Sequence, residues 1–304
     1  MKTHPSPSPY ELLQVDKVHR LGIYGAGITV AVLDTGIYPH RDFQNRLLAC
    51  PDILGHHKTA YDNNGHGTHI AGIIGSAGMV NGHYIGVAPR CNLIGVRILD
   101  NSGHGQLSYM LQGIQWILEH RIHYHIRIVN ISIGGSKALS AGRDIQLTKA
   151  VESLWDAGLV VVVSAGNQGP GKSTVTAPGT SPKVITVGTF DDEKSVHVHG
   201  ITLRDYSGRG PTRGCVIKPE IVAPGYHIMS CRNAANGYTI KSGTSMSTPF
   251  VSGAVALLLE KYPDMTNRDV KLALYQSAVS TGCTKEQQGW GLLNVPALLN
   301  HTEI

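Results

Sequence analysis

Four polar residues in the sequence stand where a nucleophilic hydrolysis could be carried out. Asp34 follows an apolar run, and His66 lies between small residues at the start of an Ala/Gly/Ile-rich segment. Ser245 lies among small residues ahead of a second apolar segment, and Asn167 follows a run of valines. A serine hydroxyl needs an imidazole to take its proton, the imidazole needs a carboxylate to hold its tautomer, and the resulting oxyanion needs preorganised donors. The four residues supply one candidate for each role.

Each of these residues also has an ordinary structural interpretation. Aspartate is common in turns, and a lone asparagine is a common turn or cap residue. His66 and His69 have a spacing that metal ligands also use, but neither an HExxH motif nor an acidic third ligand at zinc-protease spacing accompanies them. Asp34-Thr-Gly36 is also the signature of aspartic proteases, which need a second copy of it or a two-fold dimer of a β-rich fold. The four residues together, each at a strand end or helix start, favour serine catalysis.

Short runs rich in β-branched residues alternate with helical periodicities along most of the chain. The strand candidates are residues 28–33, 93–99, 127–133, 159–163 and 184–187, and the helix candidates are 66–76, 106–120, 144–157, 248–262 and 267–277. Unbroken apolar runs fit strands buried on both faces of a parallel sheet. The pattern predicts one doubly wound α/β domain with a mainly parallel central sheet and helices on both faces. It also predicts Pro249 in a first helical turn and Asn267 at a helix N-cap.

Composition narrows the classes of partner. The 304 residues are 41% hydrophobic and 15% charged, with a net charge of +5 and no Lys/Arg-rich run. Aromatic residues are 6% of the chain, too few for stacking platforms that bind single-stranded nucleic acid. No apolar stretch approaches the ~18 residues of a membrane span. We therefore expect neither nucleic-acid nor membrane partners, and the sequence gives no indication of the oligomeric state.

The start of the chain and its cysteines bear on its compartment. Residues 1–10 are polar and Pro-rich, without the apolar core of a signal peptide. The five cysteines form no CxxC pair, and an odd number cannot pair completely. These features predict reduced thiols and a cytoplasmic location. Secretion is the alternative, if a leader precedes this chain.

The order of the motifs resembles the subtilisin family of serine proteases (subtilases), from about residue 22 to residue 298. The motifs that carry the resemblance are Asp34-Thr-Gly36, His66-Gly-Thr-His69, Ser164-Ala-Gly-Asn167 and Gly243-Thr-Ser-Met-Ser-Thr-Pro249. It implies a serine endopeptidase that forms an acyl-enzyme, with Asp34 orienting the base His66 and Ser245 as nucleophile. The Asn167 side chain and the Ser245 backbone N–H would form the oxyanion hole. The alternatives are a catalytically silent relative that only binds peptides and, less in keeping with the α/β pattern, an aspartic protease.

The resemblance also implies where a peptide substrate would lie. Two backbone segments would pair with the peptide on either side, and they contain Ser132, Ile133, Gly134 and Gly135 on one wall and Gly103, Gly105 and Leu107 on the other. Ile133 and Leu107 would line the pocket for the fourth residue before the scissile bond (S4). The pocket for the residue just before that bond (S1) would be formed by Ser164, Ala165, Gly166 and Thr176. None of these residues is charged, so we expect a neutral, medium-sized apolar P1 residue.

Many subtilases bind calcium, and the resemblance carries this possibility to Asp42 and Asn81. The loop that holds Asn81, residues 77–83, contains no acid, although calcium prefers several oxygen ligands. No cofactor is expected for the chemistry itself. Residues 1–20 are predicted to be a short N-terminal extension and residues 21–304 the peptidase domain. The extension is too short to be a folding pro-domain, so we expect either that folding needs none, as in intracellular relatives, or that the chain is a mature fragment.

Overall fold

A seven-stranded parallel sheet forms the centre of the molecule in a computed structural model, which describes residues 8–55, 59–133, 141–198, 201–212 and 214–300. The strands of this part of the chain are β1 (Thr29–Asp34), β2 (Leu47–Ala49), β3 (Asn92–Arg97), β4 (Ile126–Ile131), β5 (Val160–Ser164), β6 (Ile185–Thr189), β7 (Val196–Val198), β8 (Ile201–Leu203), β9 (Ile221–Ala223), β10 (Ile228–Cys231) and β11 (Tyr238–Lys241). The central sheet has the order β2-β3-β1-β4-β5-β6-β9, and all its neighbouring strands run parallel. The strands β7 and β8, like β10 and β11, form antiparallel pairs.

Helices cover both faces of this sheet. Those described are α1 (Pro9–Leu12), α2 (Val15–His19), α3 (His66–Gly75), α4 (Leu107–His120), α5 (Ala141–Asp156), α6 (Thr244–Lys261), α7 (Asn267–Ser277), α8 (Lys285–Gln288) and α9 (Val295–Leu299). Helix α3 packs with α6 and helix α4 with α5. Strand β1 contacts α3 and α4, strand β5 contacts α5 and α6, and both strands are buried along their whole length. The predicted doubly wound α/β fold is confirmed. None of the described helices is long and apolar enough to cross a bilayer.

The segment predicted to be a separate extension contributes to the core of the domain. Residues Leu13, Val15 and Val18 of the α1–α2 region are each at most 2% exposed and belong to the same apolar cluster as the sheet. The ring of Tyr10 packs edge-on against Phe250 of α6, with 5.2 Å between the ring centroids. The apolar core therefore includes residues on both sides of the predicted boundary at residue 20. The described part of the predicted extension packs as part of the domain.

Helix α6 begins four residues earlier than its apolar periodicity predicts, at Thr244. Ser245 therefore lies inside the first turn of the helix and not ahead of it. The prediction that Pro249 lies in the first turn is wrong, because this residue is the sixth of the helix. A proline there has no N–H for the carbonyl of residue i−4, which is Ser245. Small polar residues hide the helical period at this end, because they carry no apolar stripe.

The N-cap of α7 also differs from the prediction. Thr266 is the cap, with its side chain accepting the Asp269 N–H while the Asp269 carboxylate accepts the Thr266 N–H. Asn267 is the first helical residue, and its side chain donates to the carbonyls of Trp155 and Leu159 at 2.7 and 3.2 Å. Threonine followed three residues later by an acid is a capping box, so the sequence contained the signal. Asn267 instead links α7 to the start of β5.

Candidate active site

Asp34 and His66 form a direct hydrogen-bonded pair at the carboxyl end of β1. Asp34 is the last residue of that strand and is completely buried, and His66 is the first residue of α3. The His66 Nδ1 atom lies 2.8 and 2.9 Å from the two carboxylate oxygens of Asp34. A Cβ atom on Gly67 would lie 2.1 Å from the Gly36 carbonyl oxygen, so only glycine lets α3 approach the turn after β1 this closely. Both predicted residues are brought together by this approach.

A buried carboxylate that the sequence analysis missed builds the turn before His66. Asp62 is 1% exposed, and its oxygens accept hydrogen bonds from the Thr35 hydroxyl at 2.9 Å and from the backbone N–H of Gly65 at 2.8 Å and of Thr68 at 2.9 Å. Burial raises the pKa of Asp62, since desolvation outweighs these hydrogen bonds. Asp62 thus links the turn after β1 to the first turn of α3. An aspartate opening an Asp-Asn-Asn-Gly turn was the signal that could have found it.

The electrostatics of His66 are dominated by two opposing effects. Desolvation by burial lowers the pKa of His66, but the charge of Asp34 and its hydrogen bond together outweigh that effect, and the net pKa is raised. The charge of Lys241 works in the same direction as desolvation. The imidazole is 25% exposed, whereas the Asp34 carboxylate is 0% exposed. The ring therefore has one nitrogen held by a buried anion and part of its surface open to a ligand.

Ser245 lies at the same edge of the sheet through its contact with β4. Its hydroxyl donates to the backbone carbonyl of Ser132 at 2.9 Å, and among the described residues no hydrogen bond joins it to His66. Ser132 follows β4, the parallel neighbour of β1, and Val32 is in register with Asn130. Asp34 lies two residues beyond Val32 and Ser132 two residues beyond Asn130, so both residues lie at the carboxyl ends of neighbouring parallel strands. The nucleophile candidate is therefore held next to the carboxylate–imidazole pair.

Asn167 presents its amide group next to the start of α6. Its Oδ1 accepts hydrogen bonds from the Thr244 backbone N–H at 3.1 Å and from the Thr244 hydroxyl at 3.0 Å. A backbone N–H only donates, so the oxygen of the amide must face Thr244 and the Nδ2 donors remain for another acceptor. Gly243 has φ +139°, and a Cβ there would lie 3.4 Å from Asn167 Nδ2 and 3.9 Å from the Ser245 nitrogen. Asn167 Nδ2 and the Ser245 backbone N–H therefore flank the position that a side chain at residue 243 would occupy, which glycine leaves open.

The residues predicted to form the S1 pocket come together beyond the end of β5. The Thr176 N–H donates to the Ala165 carbonyl at 3.1 Å, and a Cβ on Gly166, which has φ +85°, would lie 2.4 Å from Thr176 Oγ1. The hydroxyls of Ser164 and Thr176 are buried, and neither has a hydrogen-bond partner among the described residues. No charged side chain takes part in this group.

A second group of predicted residues lines a cavity of about 660 Å³. Gly103, Gly105 and Leu107 form one side of it, and Ile133 lies on another. Its remaining lining residues are Ile98, Leu99, His104, Gln106, Ser108, Met110, Arg143, Leu147, Ala177 and Pro178. Leu107 and Ile133, the two residues predicted for S4, thus line the same cavity. Gly134 and Gly135, also predicted for this wall, lie outside the described residues.

The residues predicted to bind calcium do not fit that ion. Asp42 is fully buried, and its carboxylate accepts the Val80 N–H at 2.9 Å and the Tyr238 hydroxyl at 2.6 Å. The Ser76 hydroxyl lies 2.7 Å from the same group, between it and the Tyr84 carbonyl, and Cys231 Sγ lies 3.8 Å from it. We call Ser76, Val80, Cys231 and Tyr238 the donor cage of Asp42.

The donor cage occupies the lone pairs that a calcium ion would need. Hydrogen bonds from Tyr238, Ser76 and Val80 overcome the effect of burial and hold the pKa of Asp42 below its usual range. The other predicted ligand, Asn81, accepts the His83 N–H with its side-chain oxygen at 3.1 Å. The contacts of Asp42 and Asn81 therefore favour a hydrogen-bonded anion site, and the calcium site stays a prediction.

The same neighbourhood contains ligand atoms of a kind that transition metals use. Potential ligand atoms of His40, Asp42 and Cys231 lie within 4.8 Å of one another. However, His40 Nε2 donates to the Gly237 carbonyl at 3.0 Å, and its Nδ1 accepts the Asp42 N–H at 3.2 Å. Burial and the charge of Asp42 raise the pKa of the Cys231 thiol, so this sulfur keeps its proton. The cluster is thus satisfied by hydrogen bonds without a cation.

A carboxylate, an imidazole and a helix-start hydroxyl at one edge of a parallel α/β sheet, next to an amide donor, define a serine hydrolase by class. Residues 25–291 match the model of the subtilase family. The chain belongs to that family, which places it among the serine endopeptidases. This result and the parallel sheet contradict the aspartic-protease alternative, which requires a β-rich fold.

Named relatives agree with this assignment. Serine protease AprX of Bacillus subtilis (strain 168) is 41% identical over 266 residues, which make up 81% of this chain and 60% of AprX. Subtilisin DY of Bacillus licheniformis is 33% identical over 294 residues, which are 96% of this chain and 97% of that protein. Among solved structures, Sphericase has a TM-score of 0.75 and 29% identity, covering 90% of this chain and 96% of its own.

Proposed function

We propose that this chain hydrolyses peptide bonds with Ser245 as nucleophile, His66 as general base and Asp34 as the group that orients the base. The observation that carries the proposal is the pair of contacts, at 2.8 and 2.9 Å, between His66 Nδ1 and the buried Asp34 carboxylate. A carboxylate only accepts hydrogen bonds, so Nδ1 carries the proton. The other ring nitrogen, Nε2, then has the lone pair that can accept the serine proton.

The chemistry begins when the Ser245 hydroxyl leaves the Ser132 carbonyl and turns toward Nε2, using another of its three staggered side-chain rotamers. Nε2 takes the proton while Oγ attacks the scissile carbonyl carbon, and the imidazolium then gives this proton to the leaving amine. An acyl-enzyme remains, and water cleaves it by the same two proton transfers. The Asp34 charge stabilises the imidazolium in both halves, in keeping with the raised pKa of His66.

The oxyanion that forms at each tetrahedral stage needs two donors. We assign these roles to the Asn167 Nδ2 and the Ser245 backbone N–H, which both lie within 4 Å of the open position at Gly243. The first N–H groups of a helix have no intrahelical acceptor, and the helix dipole favours negative charge there. Thr244 holds the Asn167 oxygen in place, so the amide is preorganised before substrate binds.

The substrates we propose are peptides and proteins with a neutral, medium-sized apolar P1 residue. The support is the S1 group of Ser164, Ala165, Gly166 and Thr176, in which the threonine side chain fills the space against Gly166. A charged P1 side chain would meet no counter-ion there and would pay its desolvation energy without compensation. A library in which Lys, Arg, Asp or Glu is the best P1 residue would contradict this pocket assignment.

The test compares the wild type with Ser245→Ala on casein and on a P1-varied peptide library. Loss of the nucleophile costs about six orders of magnitude in kcat in this family. Ser242→Ala is the matched control, because Ser242 lies three residues upstream and, among the described residues, its hydroxyl accepts just the His227 N–H. A loss under tenfold in Ser245→Ala would remove Ser245 from its role. A folded wild type that cuts nothing and is not labelled by a fluorophosphonate would instead support the peptide-binding alternative.

For the compartment of the enzyme we propose the cytoplasm. The five cysteines are all free thiols, and burial raises the pKa of the Cys91 thiol to about 12 and that of Cys50 to about 11. Structural disulfides are rare in reducing compartments, so free thiols suit a cytoplasmic protein. Fractionation of the producing cells with an antibody to this chain tests the proposal, and recovery mainly from the medium would contradict it.

A further inference from the structure

The cavity that contains Leu107 and Ile133 has one feature that its apolar character does not explain. Its described lining is mainly aliphatic or glycine, and no acidic side chain belongs to it. Among the described lining residues, Arg143 of α5 is the one with a permanent charge, and His104 is the other titratable one. A guanidinium beside an otherwise neutral cavity gives that cavity a positive potential.

Two further observations show that Arg143 is not engaged in holding the fold together. The side chain is exposed, and no described residue forms a salt bridge or hydrogen bond with it. Arg143 also lies in the first turn of α5, where the positive end of the helix dipole disfavours a cation. An arginine that pairs with no described residue, and that the helix dipole disfavours, is available to pair with a ligand.

We propose that Arg143 selects substrates with a glutamate at the position that enters this cavity, the fourth residue before the scissile bond. The inference rests on the proposed function and on the S4 assignment of Leu107 and Ile133. The methylene groups of a glutamate pack on these apolar side chains, and its carboxylate reaches the guanidinium. The positive end of the α5 dipole adds to the same attraction. The enzyme therefore prefers acidic over isosteric neutral residues at this one subsite.

The test uses four peptides that differ only at the fourth position, with Glu, Gln, Leu or Lys there and a neutral apolar P1 residue. An exposed ion pair is worth about 0.2–1 kcal/mol, so kcat/KM for the Glu peptide should exceed that for the Gln peptide by about 1.4- to fivefold. Arg143→Gln should bring the ratio to about one, and Arg143→Glu should reverse it and favour the Lys peptide. Added salt should reduce the wild-type ratio.

Two controls separate Arg143 from its surroundings. Lys149→Glu makes the same change of charge on the exposed face of α5 outside the cavity lining and should leave the ratio unchanged. His104→Asn removes the other titratable lining residue and should keep the Glu preference. A wild-type ratio of one or less, or an unchanged ratio in Arg143→Glu, would overturn this assignment while cleavage itself continued. A wild type that cuts none of the peptides would overturn the proposed function, and this inference with it.

Discussion

Asp34 ends strand β1 and Asp42 follows it eight residues later; both are completely buried, but their surroundings differ. Asp34 accepts one backbone N–H, from Thr35, and otherwise faces the imidazole of His66, which is partly exposed. Asp42 is enclosed by the donor cage, without any exposed base beside it. Burial of a carboxylate is therefore no sign of catalysis by itself. What makes Asp34 suited to catalysis is a partner with a second, open side.

The largest effect that this comparison predicts is on Asp34→Asn. The substituted amide can donate to Nδ1 and so hold His66 in the wrong tautomer, and kcat should fall by about 10⁴-fold. The melting temperature should change little, because Asn keeps the shape of the side chain. Asp42→Asn is the matched variant and should show the opposite pattern, with a clear loss of stability and near-normal kcat. A drop in kcat above tenfold in folded Asp42→Asn would break the comparison.

Asn167 also differs from Asp42, since one end of its side chain is held and the other has no partner among the described residues. Its oxygen is held by Thr244, and Asn167→Ala removes the Nδ2 donor. We expect kcat to fall by about 10²–10³-fold with little change in KM, because the donor acts on charge that develops only in the transition state. Steady-state kinetics on one good peptide measure both constants. A rise in KM with kcat unchanged would make Asn167 a ground-state binding residue and not an oxyanion donor.

The donor cage predicts a stability effect without a metal. Tyr238→Phe removes a donor 2.6 Å from the Asp42 carboxylate, and a hydrogen bond to a charged group contributes about 1.5–3 kcal/mol to the free energy of unfolding. Tyr275→Phe is the control, since that tyrosine is 57% exposed and packs on Trp290. Chelators should leave the wild-type melting temperature unchanged. If chelation lowers the melting temperature, and calcium but not magnesium restores it, the interpretation of Asp42 as an anion held by the donor cage is wrong.

The difference between the two carboxylates also shows how far the sequence could predict the site. Asp34 and His66 lie in local motifs at a strand end and a helix start, and apolar runs placed both elements correctly. The donor cage could not be predicted in this way. Ser76 and Tyr238 are 34 and 196 positions from Asp42, and only the packing of α3 and β11 against the segment after β1 brings their hydroxyls to it. Motif resemblance instead suggested a cation there.

The errors about the fold have related physical causes. Strands β2 and β9 are three residues long, too short to show an apolar run, and they are edge strands of the central sheet. The start of α6 was hidden because its first turn is made mainly of small polar residues, Ser245 among them, which carry no apolar periodicity. The place of Arg143 in the S4 cavity depends on how α5 packs, and its exposed position on the helix gave no sign of it.

The smallest predicted effects concern pH, and they have opposite signs at Asp42 and at His66, the partner of Asp34. The pKa of Asp42 is lowered by folding, so its contribution to stability is present above about 3.9, the unfolded value, and is lost as pH falls through the folded pKa. The pKa of His66 is raised, so its contribution is complete below about 6.5 and is lost as pH rises through the folded pKa.

Activity should rise over the pH range in which the contribution of His66 to stability is lost, because only the neutral ring can accept the Ser245 proton. The acid limb of kcat/KM, which reports the free enzyme, should therefore lie above about pH 6.5 in the wild type. In Asp34→Asn the charge that raises the pKa of His66 is gone, so the limb should move to lower pH on the residual activity. Asp42→Asn should leave the limb in place but abolish the loss of stability at acid pH. A limb that moves equally in both variants would mean that the two carboxylates share one electrostatic environment, and the contrast between an open and an enclosed anion would fail.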